Sequence, residues 1–291
     1  MIKKIVISFI VYVTFNFQVV AAEDKALFWR VDSELATVYL LGSIHFADES
    51  FYPLRTEIEQ AFEASDALVI EVDANSAESA ADFQRLMQGE GSYSGDETLK
   101  DNLSKKTYQQ LQIYLKELGV PSALVEKQKP GMVMLTLAAV QAQMTGLNPE
   151  QGIDLHFLRK INRKKMLTLE TMDEQIRIFL DIEDADLLLQ DSFDSPEMVK
   201  EEMHSLISAW KQGDEKALYK LLFEDVLTGN AAIVSLYERL YFKRNVKMTG
   251  SIKSYLKQKG RYFVVVGAGH LIGDKGIVQL LQSAGYRVTR L

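Results

Sequence analysis

Two apolar stretches near opposite ends of the 291-residue chain end in the same short pattern, Gly-x-x-His. Residues 38–45 read VYLLGSIH, and residues 262–270 read YFVVVGAGH. An apolar run of this length, rich in β-branched residues and ending at glycine, is typical of a strand buried on both faces of a sheet. We expect each glycine to adopt a backbone conformation that other residues resist. The pattern predicts an α/β fold in which both histidines lie just past their strands, where open sheets bind ligands.

Histidine is rare in this chain, which has only four. Two of them, His45 and His270, occupy the matching positions. One histidine after a strand is more often a loop or packing residue than a ligand. Two matched ones are harder to attribute to packing, although the pattern leaves both a shared site and a coincidence open. His156 and His204 lie within helical patterns and are expected to be surface or packing residues.

Two further predicted strands end in a carboxylate. Residues 67–73 read ALVIEVD and include Glu71, and residues 166–170 read MLTLE and end at Glu170. An unpaired buried charge is very costly, so a carboxylate at the end of a buried strand needs a partner. For Glu71 the partner is an arginine, a set of backbone donors, or a metal shared with His45. The order His45, Glu71, Glu170, His270 along the chain suggests four ligands of one site, and it is also compatible with chance.

Helical patterns fill most of the remaining chain. Residues 75–148 form a helical insertion between the two motif strands, and a long helix is expected at residues 230–258 with an interruption at residues 249–251. Residues 27–31 and 37–41 should pair as a hairpin. The sequence therefore predicts an α/β (α+β-like) fold with a central mixed sheet flanked by helices. No linker rich in Pro, Gly or Ser divides residues 23–291, which should form a single domain.

The N-terminal residues predict where the protein is located. Residues 1–22 combine a basic start, an apolar run and small residues, which is the layout of a secretory signal peptide. The sequence thus predicts export to a periplasm or the cell exterior, with cleavage after about Ala22 and no membrane span in the mature chain; an uncleaved anchor is the alternative.

The absence of cysteine excludes disulfides, thiolate metal sites and a cysteine nucleophile. A net charge of −7 without a basic stripe argues against a nucleic-acid partner.

The candidate site residues suit metal-assisted hydrolysis. Two neutral imidazoles, His45 and His270, together with the carboxylate of Glu71, are a common ligand set for a hydrolytic metal ion. Glu170 is a candidate general base or fourth ligand. Arg244, in a late helix, would hold a substrate carboxylate or a developing oxyanion if it points into the site. Serine catalysis lacks a Gly-x-Ser-x-Gly motif, and too few residues follow Gly273 for a dinucleotide-binding unit.

Taken together, these motifs resemble the TraB/PrgY/GumN family over about residues 27–291. The matching stretches are residues 40–45, 70–73, 152–154, 169–171, 244–245 and 266–276. The resemblance implies an α/β fold with a central mixed sheet, distantly similar to erythromycin-esterase and ChaN-like proteins. The animal members, the Tiki proteins, are metal-dependent proteases that favour manganese- or cobalt-like ions, and zinc or iron are the alternatives.

The family's motif residues carry over onto His45, Glu71, Arg244 and His270. The Gly-Ile-Asp and Leu-Glu-Thr stretches also match, which places Asp154 and Glu170 among the candidate catalytic residues.

The main hypothesis is an exported, metal-dependent hydrolase, a peptidase acting on a peptide or small-molecule substrate. One alternative is a ChaN-like protein that binds iron, haem or a small ligand in the same cleft without turnover. The other is an inhibitor that sequesters a peptide through residues 75–148.

Overall fold

The computed structural model describes residues 25–291, so the expected signal peptide at residues 1–22 lies outside the described residues. The strands are β1 (Phe28–Asp32), β2 (Ala36–Ser43), β3 (Ala67–Ile70), β4 (Lys165–Thr168), β5 (Gly260–Gly267) and β6 (Arg287–Arg290). They form a six-stranded sheet in the order β4-β3-β5-β2-β1-β6. Neighbours from β4 to β2 run parallel, whereas β1 is antiparallel to both β2 and β6. The predicted mixed sheet and the β1–β2 hairpin are confirmed.

The two motif strands lie side by side. β2 and β5 are parallel neighbours, with Leu40 opposite Val264 and Ser43 opposite Gly267. Both are buried along most of their length because helices cover the sheet. The shared register means that the two Gly-x-x-His motifs leave the sheet next to each other, at the same edge.

The glycines of the two Gly-x-x-His motifs do not adopt the unusual backbone conformation that their position predicted. Gly267 has φ −49° and ψ 135°, a conformation open to other residues, and Gly42 is not among the described glycines with positive φ. A Cβ on Gly42 would instead lie 3.0 Å from the Cα of Ala268 and 3.1 Å from the Cβ of Leu27. Glycine is needed at position 42 because the turn after β5 packs directly on β2.

In chain order, all of the described helices lie between β2 and β6. They are α1 (Thr56–Glu63), α2 (Ala77–Gln88), α3 (Leu99–Asn102), α4 (Lys105–Glu117), α5 (Pro130–Met144), α6 (Ile153–Arg159), α7 (Met172–Leu180), α8 (Ala185–Gln190), α9 (Pro196–Gln212), α10 (Glu215–Tyr219), α11 (Asp225–Leu227), α12 (Ala231–Tyr237), α13 (Lys243–Leu256), α14 (Ala268–Leu271) and α15 (Ile277–Ser283). None of these described helices is both long enough and apolar enough to cross a membrane.

The predicted helical insertion is present as α2 to α5, and the long late helix is present as α12 and α13. The interruption predicted at residues 249–251 is absent, because α13 runs through it. The irregularity lies earlier, at a π-helical turn over Glu238–Phe242. A second π-helical turn, Lys220–Glu224, joins α10 to α11. Such turns are frequent near functional sites, and both of these border the cleft described below.

Candidate functional site

All six predicted site residues meet at one edge of the sheet. His45, Glu71, Glu170 and His270 follow β2, β3, β4 and β5, which are mutually parallel neighbours. The carboxyl ends of parallel strands lie at the same edge, where open α/β sheets place their ligands. Arg244 reaches this edge from α13 and Asp154 reaches it from α6.

His45 is oriented by a carboxylate. Its Nδ1 lies 2.8 Å from Oδ2 of Asp154, and the other oxygen of Asp154 accepts a hydrogen bond from Ser43 Oγ at 2.8 Å. Gly152 permits this approach of α6, since a Cβ there would lie 2.4 Å from the carbonyl oxygen of His45. The negative charge of Asp154 raises the pKa of His45 to about 9. With Nδ1 directed to Asp154, Nε2 is the nitrogen left to face the cleft.

His270 is oriented by an amide. Its Nδ1 lies 2.6 Å from Oδ1 of Asn245, whose Nδ2 donates to the carbonyl oxygen of Lys275 at 2.9 Å. Because Asn245 uses its nitrogen on Lys275, its oxygen faces the imidazole, so Nδ1 of His270 must be the donor. Burial lowers the pKa of His270 to about 4, so the ring is neutral at pH 7 and Nε2 carries a lone pair.

Glu71 and Glu170 share one guanidinium. Nη2 of Arg244 donates to Oε2 of Glu71 at 2.6 Å and to Oε2 of Glu170 at 2.7 Å, and its Nε donates to Glu170 at 3.0 Å. Gln175 Nε2 also donates to Glu170, at 3.1 Å. Both carboxylates are buried, at 9% and 5% exposure. Arg244 therefore clamps two carboxylates of the protein itself, and both oxygens of Glu170 are engaged.

The second oxygen of Glu71 points toward the histidines. Oε1 accepts the backbone N–H of Gly267 at 2.7 Å and lies 3.8 Å from Nε2 of His270. Burial alone would raise the pKa of Glu71, but the groups facing it, His270 and Arg244 foremost, lower it to about 2. Oε1 of the Glu71 carboxylate and Nε2 of His270 are both acceptors, so a cation between them would relieve their repulsion.

Gly267 leaves an open space beside these donor atoms. A Cβ built on Gly267 would lie 3.4 Å from Oε1 of Glu71, 3.5 Å from Cδ2 of His270 and 4.0 Å from Nε2 of His45. Because the pKa of His45 is about 9, its imidazole is protonated at pH 7. The three carboxylates of Glu71, Glu170 and Asp154 then exceed the positive charges of His45 and Arg244 by one, and by two if a metal ion takes the place of the proton on His45. The space is therefore suited in donor type and in charge to a divalent cation.

As placed, the described side chains do not close around an ion. No group of three or more His, Cys, Asp or Glu residues between positions 25 and 291 is arranged to hold a metal. At 3.8 Å, Oε1 of Glu71 and Nε2 of His270 are farther apart than the ligand atoms of a tetrahedral ion, which lie about 3.4 Å apart when metal bonds are about 2.1 Å. The donor types fit a divalent ion, although the side chains as placed do not form a metal site.

Three supporting residues were not among the predicted site residues. Asn245 sits in the interior of α13 and is fully buried, a position that asparagine disfavours, and this was a usable signal. Gln175 resembles any glutamine on a helix surface, and nothing in the sequence marks it as a site residue. Ser43 lies inside the first motif and donates to Asp154 rather than to a histidine, so it orders the carboxylate and does not act as a nucleophile paired with a base.

The cleft at this edge has two lobes. The larger has a volume of about 540 Å³ and the smaller about 280 Å³. Among residues 25–291, only His45, Glu71 and Gln175 line both. The apolar wall of the larger lobe includes Phe46, Phe179, Met203, Leu206, Leu222 and Tyr241. The apolar wall of the smaller includes Val72, Leu155, Leu158 and Met172.

Several known proteins are similar in sequence to this chain. The model of the TraB/PrgY/gumN family matches residues 27–290. The protein YbaP of Escherichia coli strain K12 is 29% identical over 247 residues, covering 84% of this chain and 87% of that protein. A protein of Treponema pallidum is 20% identical over 273 residues, covering 90% and 81%. A protein of Amphimedon queenslandica named metalloprotease TIKI homolog is 34% identical over 58 residues, 19% of this chain and 11% of that protein. No solved structure shows a significant match.

Proposed function

The chain belongs to the TraB/PrgY/gumN family, and from this premise we propose that it is a metal-dependent hydrolase that cleaves peptides. The observation that carries the proposal is the space beside Gly267, which Glu71 Oε1, His45 Nε2 and the ring of His270 surround. The short match to a protein named metalloprotease TIKI homolog supports the same reaction class.

His45, Glu71 and His270 would hold the divalent ion, with manganese or cobalt as the first candidates and zinc or iron as alternatives. Such an ion supplies Lewis acidity toward the scissile carbonyl and lowers the pKa of a water. The protein's own residues prepare the site. Asp154 and Asn245 hold the two imidazoles with Nε2 toward the cleft, an arrangement that typically supports metal-ligating histidines.

We assign Arg244 and Glu170 to positioning. Nε and Nη2 of Arg244 donate to the two carboxylates, and Nη1 donates to the carbonyl oxygen of Leu240 at 2.8 Å. This clamp holds Glu71 so that Oε1 faces the space beside Gly267. Glu170, with both oxygens engaged, anchors the clamp and is a weaker candidate for the base than the sequence suggested.

Export remains part of the proposal on the strength of residues 1–22 alone. The mature chain is expected to begin near Glu23, and N-terminal sequencing of protein recovered from the exported fraction would test this.

Gly267→Ala tests the proposed site with little disturbance of the fold. The added methyl would meet its neighbours at 3.4–4.0 Å, which is ordinary contact, and φ −49° suits alanine. It would nevertheless occupy the space beside the three donor groups. We expect wild type to hold about one equivalent of metal after reloading, and the variant to bind metal about tenfold or more weakly. Mass spectrometry of bound metal, peptide hydrolysis and thermal unfolding would be measured together.

Gly250→Ala is the matched control, because a Cβ there meets nothing within 4 Å and the residue is exposed on α13. It should keep all metal and be more stable by roughly 0.5–1 kcal/mol. Full metal binding by Gly267→Ala would show that the ion lies elsewhere. A wild-type chain that holds no metal after reloading would overturn the proposed function and favour ligand binding without turnover.

Asn245→Ala tests how His270 is held. Without the amide, the imidazole is free to rotate, and Lys275 loses the donor to its carbonyl oxygen. Metal affinity should fall about 10- to 100-fold, and the free energy of unfolding by about 1–3 kcal/mol. Competition with a chelating dye gives the affinity. An unchanged affinity alongside the lower stability would mean that His270 is not a ligand.

A further inference from the structure

The two lobes of the cleft are separated by its polar centre. His45, Glu71 and Gln175 are common to both lobes, and every other described residue that lines the cleft belongs to one lobe. The larger lobe is bounded by α9, α10 and the two π-helical turns, and the smaller lobe by α6 and the chain after β3. Helix α7 borders both lobes. A ligand that occupies both lobes must therefore place a polar group between two apolar ones.

Each lobe contains a leucine that takes no part in packing the core. Leu155 lines the smaller lobe and Leu240 lines the larger, and both are half-buried. Neither belongs to a hydrophobic cluster within the described residues, which most other buried apolar side chains join. Their apolar surface faces the cleft, where it is available to a bound side chain.

An extended peptide has the alternation that this cleft requires. Successive side chains of an extended chain point to opposite sides, so the two residues that flank an amide bond project in opposite directions. An amide placed beside His45 and Glu71 would send one side chain into each lobe. At about 540 Å³ the larger lobe falls within the usual range for ligand pockets, about 300–1,000 Å³, and the smaller lies just below it.

We infer that the substrate is a peptide with an apolar side chain on each side of the scissile amide, the bulkier of the two entering the larger lobe. This inference rests on the proposed function, because it places the bond that is cut at the junction of the lobes. It adds that Leu155 and Leu240 determine specificity, each for one side chain.

Binding of four peptides to the full chain tests this inference without relying on hydrolysis. The peptides share a Gly/Ser host with an end label and carry Ser-Ser, Leu-Ser, Ser-Leu or Leu-Leu at the centre. Fluorescence anisotropy is measured with a chelator present, which prevents metal-dependent cleavage. Each leucine should tighten binding about tenfold, so that Leu-Leu binds about a hundredfold tighter than Ser-Ser. Equal affinity for all four peptides would overturn the inference.

Variants assign each side chain to its lobe. Leu155→Trp fills the smaller lobe and Leu240→Trp fills the larger. Each variant should abolish the tighter binding of one singly substituted peptide, Leu-Ser or Ser-Leu, and leave that of the other unchanged. The peptide affected should differ between the two variants. Leu155→Ser and Leu240→Ser, which need no additional space, should show the same selectivity. Leu124→Trp is the control, because Leu124 is 63% exposed and lies outside both lobes, and it should change nothing.

The failures of the inference and of the proposed function are distinguishable. If the Leu155 and Leu240 variants both weaken binding of the same singly substituted peptide, the two-lobe assignment is wrong. With metal restored, cleavage of Leu-Leu between its two leucines supports the inference, and cleavage elsewhere in the host overturns it while keeping the hydrolase. Absence of metal from wild type would overturn the hydrolase, and the four affinities would still decide whether the cleft binds such peptides.

Discussion

The double variant His45→Ala, His270→Ala is expected to retain no metal after reloading and to lose peptide hydrolysis by roughly a thousandfold, because a bound ion contributes several kcal/mol to transition-state stabilisation. Both nitrogen ligands would be gone, and Glu71 would remain with Arg244, Gln175 and Gly267 as partners. A lone carboxylate already paired with a guanidinium is a poor site for a divalent ion.

The fold should survive these substitutions. His45 has a side chain that is 61% exposed, so its removal leaves little buried surface unfilled. His270 is buried, and its loss leaves Oδ1 of Asn245 without its partner, at a cost of about 1–3 kcal/mol. Circular dichroism and urea unfolding would establish that the variant is folded before its metal content is measured.

His204→Ala is the matched control, since His204 is exposed on α9 and lies outside the cleft. It should keep both metal and hydrolysis. Metal content in the double variant equal to that of wild type would show that the two Gly-x-x-His motifs do not supply the ligands.

Arg244→Met is expected to lower the free energy of unfolding by about 3–5 kcal/mol, the usual cost of removing one partner from a buried ion pair. Glu71 and Glu170 would remain buried without their common counter-ion. Urea unfolding at pH 7 in the presence of a chelator measures the loss. Adding Glu170→Gln to the variant should recover part of it, because one of the two buried charges is then removed.

The loss should depend on pH with a definite sign. The folded-state pKa of Glu71 is lowered from 4.5 to about 2 in wild type, so the stability that this shift provides is complete above about pH 4.5. It disappears as the pH falls toward 2, because the carboxyl becomes protonated in the folded protein too. The difference between wild type and Arg244→Met should therefore be largest near neutral pH and shrink in acid.

Arg177→Met provides a control of the same chemistry at the surface. Arg177 also bonds two carboxylates, Glu90 and Asp173, but its side chain is 40% exposed and solvent screens those pairs. Its substitution should change stability far less than that of Arg244. Equal effects at the two positions would mean that burial does not strengthen the Arg244 cluster.

Much of the site was predictable because its elements are local. An apolar β-branched run followed by Gly-x-x-His identifies a buried strand and its exit within about ten residues, and Glu71 and Glu170 mark the ends of two more strands. Parallel strands place their carboxyl ends at one edge, so these side chains could be expected to meet before any contact was known. The family resemblance rests on the same local stretches.

The roles of several of these residues depend on how distant parts of the chain pack together, which a local sequence pattern does not show. Gly42 looked like a residue chosen for its backbone conformation, and it is required by the approach of Ala268 from the other motif. Arg244 looked like a residue for substrate, and it holds Glu170, which lies 74 positions away. The interruption predicted in the late helix was absent because glycine at position 250 is tolerated within a long, well-packed helix.

The sequence by itself thus determined the class of fold, the strands that carry the histidines and carboxylates, and the donor chemistry at their ends. Only the tertiary structure decided that Asn245 and Asp154 orient the two imidazoles, that one guanidinium joins two buried carboxylates, and that a two-lobed apolar cleft surrounds them. The physical reason is the range of the interactions. Strand formation follows from neighbouring residues, whereas a hydrogen bond between Gly267 and Glu71, 196 positions apart, exists only after the whole sheet has assembled.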